Sequence, residues 1–244
     1  MKRIALALCF FSSSLLWAQQ PIDSNVNNGE ELIRLMHKTY SNDWYNHLTF
    51  RQNIFRYRED SLIQNEIWVV AYSAPGKLHI RYTDFATGRG WLVVNDTLYS
   101  FNHNKLIGQR PRLHEQITLG FDAYIVSPEQ VIPKLMGLNF DLSLLSITTV
   151  YGKNVYQVGD PQKHCFWVRT DDLLFYGIRR VTEQGVNEMF FNNYKLFYGK
   201  PVATEIQYFV NGKLSLFEKY FDIRLPTSLP QEFFELSRFS ETRW

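Results

Sequence analysis

The sequence predicts an α+β protein in which an antiparallel sheet wraps around helices. Three observations carry this. Most of the chain alternates at period two in short runs divided by turn residues, as strands do. One N-terminal segment instead repeats apolar residues at three and four, as a helix face does. A second helix start lies midway, between two blocks of strands. Strand blocks with segregated helices make an α+β arrangement.

The first element is an export signal. Lys2 and Arg3 precede a short apolar stretch, 4–17, diluted by Ser12, Ser13 and Ser14. Ala18 follows, then Gln19, Gln20 and Pro21. A basic start, a short apolar core and a small residue at the cut define a secretory signal. The run is too short for a spanning helix, which needs about 20 apolar residues. Cleavage is expected after Ala18, with periplasmic delivery. The full chain carries 26 basic and 24 acidic residues, so losing Lys2 and Arg3 brings it to formal neutrality. A neutral chain has no electrostatic footprint for nucleic acid, which excludes that partner. Cys9 leaves with the signal, and Cys165 remains alone among aromatic neighbours, as a small buried hydrophobe.

Residues 19–28 are polar and Asn-rich and read as a flexible leader, and 29–240 as a single domain. Leu32, Leu35, Met36 and Tyr40 share a face, predicting a helix over about 29–45. Strands follow at 48–58, 66–72 and 77–83. In the third, Leu78, Ile80 and Tyr82 face one way and Lys77, His79 and Arg81 the other. Strands 90–94 and 97–102 flank a tight hairpin at Asn95-Asp96. Residues 105–115 read as a strand or a loop. Ser127-Pro128-Glu129-Gln130 reads as a capping box with Pro at the first helical position, predicting a helix to about Met136. Residues 142–152 fit helix or strand, with β-branching favouring strand in the second half. The last third is strands at 164–169, 174–181, 187–198, 203–210 and 213–225. Asn211-Gly212 is the strongest hairpin signal among them. A short turn or helix from Ser228 carries Phe233 and Phe234.

No chemical motif stands out. His164 and Cys165 are strand neighbours and point to opposite faces. There is no Gly-x-Ser-x-Gly elbow, no close histidine ligand pair and no phosphate loop. No catalytic residue, metal or cofactor is assigned. The positive signal is aromatic: 19 Phe, 14 Tyr and 6 Trp, many in successive strands. A curved sheet encloses a concavity, and an aromatic-lined apolar pocket suits a hydrophobic ligand. The candidate lining is Trp68, Tyr72, Leu78, Ile80, Tyr82, Trp91, Val93, Tyr99 and Phe101. A one-residue register shift exchanges the faces of such a set.

The order of elements resembles the LolA/LolB-like periplasmic lipoprotein carriers, in particular the divergent outer membrane lipoprotein-sorting proteins. The resemblance rests on the signal and helix, on Phe50-Arg51-Gln52, and on Glu66-Ile67-Trp68-Val69 leading through Ala74-Pro75-Gly76. It continues through 91–99, Phe166-Trp167-Val168-Arg169 with Asp171-Asp172, and Tyr220-Phe221-Asp222-Ile223 to Pro226, Pro230 and Phe233. It implies a strongly curved, open half-barrel closed by the N-terminal and central helices, with lid helices near 127–137. It also implies a non-enzymatic, monomeric carrier or sensor for an acyl-chain lipid or lipoprotein, served by membrane donor and acceptor proteins. The family's functional arginine before the turn proline is Ala74 here. Two other readings are a filled structural module of the cell envelope and a hydrolase with dispersed catalytic groups.

Overall fold

A computed structural model describes residues 25–82 and 85–244. The export signal and its cut after Ala18 lie outside the described residues.

Helix α1 spans Gly29–Tyr40. The Asn28 side chain accepts from the Glu31 backbone N–H at 2.9 Å, and so caps the helix. The helix stops earlier than 45 in a tight turn, where the Asp43 and Trp44 backbone N–H groups both donate to the Tyr40 carbonyl. That turn delivers Trp44 and Tyr45 into the core as buried rings.

Six strands follow: β1 (His47–Arg58), β2 (Ser61–Ser73), β3 (Lys77–Tyr82), β4 (Gly90–Val94), β5 (Thr97–Asn102) and β6 (Lys105–Pro111). A helical insert comes next, with α2 (Glu115–Gly120), a 3-10 turn at Asp122–Tyr124, and α3 (Pro128–Gly137). The chain returns through β7 (Leu145–Val150), β8 (Lys153–Gly159), β9 (His164–Arg169) and β10 (Phe175–Thr182). It ends with β11 (Gly185–Phe197), β12 (Lys200–Val210), β13 (Lys213–Arg224) and a C-terminal segment holding two 3-10 turns.

All thirteen strands form one antiparallel sheet, in the order β6-β5-β4-β3-β2-β1-β13-β12-β11-β10-β9-β8-β7. The two blocks are meanders joined where β13 pairs with β1. The sheet does not close, and its free edges are β6 and β7. These are the strands that the helical insert connects. The insert therefore bridges the open side, giving the predicted half-barrel with helices in its concavity.

Two-residue turns with positive φ at both positions set the strand lengths. They occur at Asn95-Asp96 and Asn211-Gly212, as predicted, and also at Glu59-Asp60 and His103-Asn104. The Glu59-Asp60 turn carries β2 back to Ser61, and the His103-Asn104 turn makes 105–111 a strand. Residues 145–150 resolve as strand. Helix α2 was not foreseen; six residues are too few to show a period. Ser127 does not cap α3 with its side chain. Its backbone carbonyl accepts from Gln130 and Val131 instead, and Pro128 starts the helix.

The inner face of the sheet packs on α1 and the insert in one large core. Two smaller clusters cover parts of the outer face. One holds Cys165 with Val155, Trp167, Tyr176 and Phe190. Burial pushes the Cys165 thiol up to about 12, so it behaves as the small hydrophobe expected. The other joins Ala71, Leu92 and Phe101 to Phe233, Phe234 and Phe239 of the C-terminal segment.

Candidate functional site

Between the inner face and α2 lies a cavity of about 250 Å³. Alternation on β2 directs Trp68, Val70 and Tyr72 inward, opposite Gln52 and Phe50 of β1 and Ile80 and Leu78 of β3. Trp91 of β4 pairs with Ile80 and extends the same wall. Strand β13 adds Leu216, Glu218 and Tyr220, and α2 with its flanks adds Ile117, Gln116 and Phe121. The walls are chiefly aromatic and aliphatic, with polar groups contributed by residues 112–116 and by Gln52, Arg56 and Glu218.

Of the nine residues proposed from sequence, Trp68, Tyr72, Leu78, Ile80 and Trp91 line this cavity. Tyr82 stands behind them, stacked on Trp68 with ring centroids 4.5 Å apart and edge-on to Trp91 at 5.5 Å. Val93 points inward but is packed in the core. Tyr99 and Phe101 are on the opposite face, against the C-terminal segment, with Phe101 stacked on Phe239 at 3.8 Å. The cause is the turn. Asn95-Asp96 pairs Val94 with Thr97, so Leu92 meets Tyr99 and Trp91 meets Ser100. Residues directly opposite share a face, so Tyr99 and Phe101 cannot join Trp91 and Val93.

Sequence reasoning missed the polar members. Gln52 and Glu218 are both buried. Each interrupts an apolar alternation, between Phe50 and Ile54 and between Leu216 and Tyr220. A polar residue placed on an otherwise apolar strand face is the signal that could have found them. Burial pushes the Glu218 carboxyl up to about 7, while the hydroxyls of Tyr220 and Tyr208 and the charge of Arg56 oppose the rise. The Tyr220 hydroxyl donates to Glu218 at 3.3 Å, and that of Tyr208 to Gln116 Oε1 at 3.0 Å.

The insert is pinned at the end where the β2–β3 and β4–β5 turns lie. Buried Asp122 accepts from the Tyr72 hydroxyl at 2.6 Å and from the Gly76 backbone N–H at 3.1 Å. Lys134 of α3 pairs with Asp96 at 2.7 Å. The turn after Ala74 is thus held by a carboxylate of the insert. Among the described residues, no group of three or more His, Cys, Asp or Glu is placed to hold a metal ion.

An open, helix-filled half-barrel with an apolar internal cavity is the class of protein this geometry defines. Solved structures share the fold. A DUF1329 family protein from Desulfovibrio piger aligns at TM-score 0.57 and 14% identity, over 86% of this chain and 97% of its own. A LolA superfamily protein from Nitrosomonas europaea aligns at TM-score 0.57 and 15% identity, over 83% and 97%. A domain from Vibrio parahaemolyticus, described as an outer membrane lipoprotein-sorting protein, aligns at TM-score 0.59 and 13% identity, over 87% and 98%. The fold is LolA-like. By sequence, no family model and no curated protein matches the chain.

Proposed function

We propose that the protein is an exported, non-enzymatic carrier or sensor that holds an acyl chain in this cavity. The observation that supports the reading is the unfilled space itself, walled by Phe50, Trp68, Trp91 and Phe121. Walls that the protein's own side chains do not bring into contact forgo dispersion attraction across the space, and an apolar ligand supplies it. Each methylene buried contributes roughly 0.8 kcal/mol, so about ten supply micromolar affinity before the costs of association. At about 250 Å³ the space is just below the usual range for drug-sized ligands, so one acyl chain is the unit that fits. The chain belongs to an acyl lipid or a lipoprotein, with envelope membrane proteins as donor and acceptor. The protein works in the periplasm as a monomer.

Lipid extraction and mass spectrometry of the purified protein test this, with displacement of a fluorescent fatty acid after delipidation. Bound acyl species and saturable displacement are expected. No acyl species and no displacement would favour the filled structural module. Glu218 and His114 are titratable groups lining one cavity, the single observation an enzymatic reading can use. Turnover of an acyl ester that vanishes in Glu218→Gln would replace the carrier reading.

A further inference from the structure

We infer that Arg112 and His114 form an oxyanion site where residues 112–116 line the cavity, so that its acyl ligand is an anionic amphiphile. This rests on the acyl-chain reading above.

Arg112 and His114 both line the cavity, on the extended segment between β6 and α2. His114 has φ −105° and ψ 97°, an extended backbone, and both side chains reach the same cavity. Arg112 Nε and His114 Nδ1 are each buried with no hydrogen-bond partner. Among the described residues no carboxylate lies within 4.0 Å of the Arg112 guanidinium. Arginine carries its charge at every working pH, and an unpaired buried donor on a charged group is costly. Two unpartnered donors beside a fixed positive charge suit a group with two acceptors and a negative charge.

The nearby acids do not supply it. Glu115 turns to Arg180 of β10 at 3.5 Å. Glu218 is engaged with the Tyr220 hydroxyl, and its burial favours the neutral acid. Arg56, the second cavity arginine, lies over the Trp68 ring at 5.7 Å and acts on Glu218. Burial, then the charge of Arg112, lowers the His114 ring to about 4 against the opposing charge of Glu115, so it meets a ligand as a neutral donor. Arg112 also lines an outer groove of about 610 Å³, so the head of the amphiphile would sit at the cavity boundary. A fatty carboxylate and a lipid phosphomonoester share this chemistry.

The test compares laurate, dodecyl phosphate, methyl laurate and dodecanol on the delipidated protein by titration calorimetry below their aggregation limits. At least one of the two anions is expected to bind about tenfold or more tightly than both neutral analogues. The tighter anion identifies the source. The preference is expected to collapse in Arg112→Gln, with methyl laurate affinity retained. His114→Gln provides a second variant, in which the preference is expected to fall without being lost. Neither anion binding more tightly than methyl laurate and dodecanol in the unaltered protein would overturn the oxyanion site and leave the acyl reading standing. Binding of none of the four would overturn both.

Discussion

Strand β3 has two faces, and the protein treats them in opposite ways. The apolar face, with Leu78 and Ile80, borders a cavity that the chain leaves unfilled. The polar face, with His79 and Arg81, is packed shut beneath the C-terminal segment, and both side chains are 0% exposed. Polarity alone would send the polar face to water. Instead Arg81 lies over the Phe239 ring at 4.2 Å and donates to backbone carbonyls of Phe239 and Phe85. His79 Nδ1 donates to the Phe233 carbonyl at 2.7 Å. The outer face is sealed by ring stacking and hydrogen bonds, whereas the inner face joins the main core and also borders the cavity. A strand whose apolar side borders that space is consistent with the carrier function proposed above.

The largest effect should come from the outer face. Phe239 is 1% exposed, and Phe239→Ala is expected to cost about 3–5 kcal/mol in denaturant unfolding. Acyl affinity should stay unchanged, because the ring is on the far side of the sheet. A coupled loss of affinity would break the contrast between the faces.

The two faces should also respond oppositely to pH. Burial on the inner face raises Glu218 from its usual 4.5 to about 7, so the folded protein holds the proton more tightly. Stability from this group is full below pH 4.5 and falls as pH rises through about 7, by about 3 kcal/mol in all. Burial on the outer face lowers His79 from 6.5 to about 3, so here the unfolded chain holds the proton more tightly. Stability is full above pH 6.5 and falls toward pH 3, at up to about 1.4 kcal/mol per pH unit. Chemical denaturation from pH 3 to 8 should show Glu218→Gln flattening the alkaline limb and His79→Asn the acid limb. Either variant flattening the wrong limb would contradict the assigned burial.

A smaller effect should come from filling the cavity. Val70→Phe puts a ring where the acyl chain is proposed to lie. Acyl affinity is expected to drop about tenfold or more, for a stability change within about 1–3 kcal/mol. Unaltered affinity would move the ligand elsewhere.

The sequence shows why one face was easier to read than the other. Alternation in 77–82 sorted Leu78 and Ile80 from His79 and Arg81 correctly, because it is a local property of the backbone. It could not say which face is wet, because the cover over His79 comes from Phe233 and Phe239, more than 150 residues away. The Asn95-Asp96 turn already dictated that Tyr99 and Phe101 leave the cavity side, and counting pairs outward from it would have removed them. Gln52 and Glu218 were visible as polar breaks in apolar rows. Arg112 and His114 were not, since their place depends on where β6 ends and a six-residue helix begins.

The tryptophans can report whether an acyl chain occupies the inner cavity, as proposed. Trp68 and Trp91 line the cavity, whereas Trp167 and Trp244 belong to the outer clusters and Trp44 is buried among Tyr40, Tyr45 and Tyr124. Titrating the delipidated protein with a bromine-labelled fatty acid quenches indoles that the chain touches. Saturable quenching is expected, and it should disappear in the Trp68→Phe, Trp91→Phe double variant. Quenching that persists undiminished in that variant, or none in the unaltered protein, would mean that no acyl chain lies in this cavity.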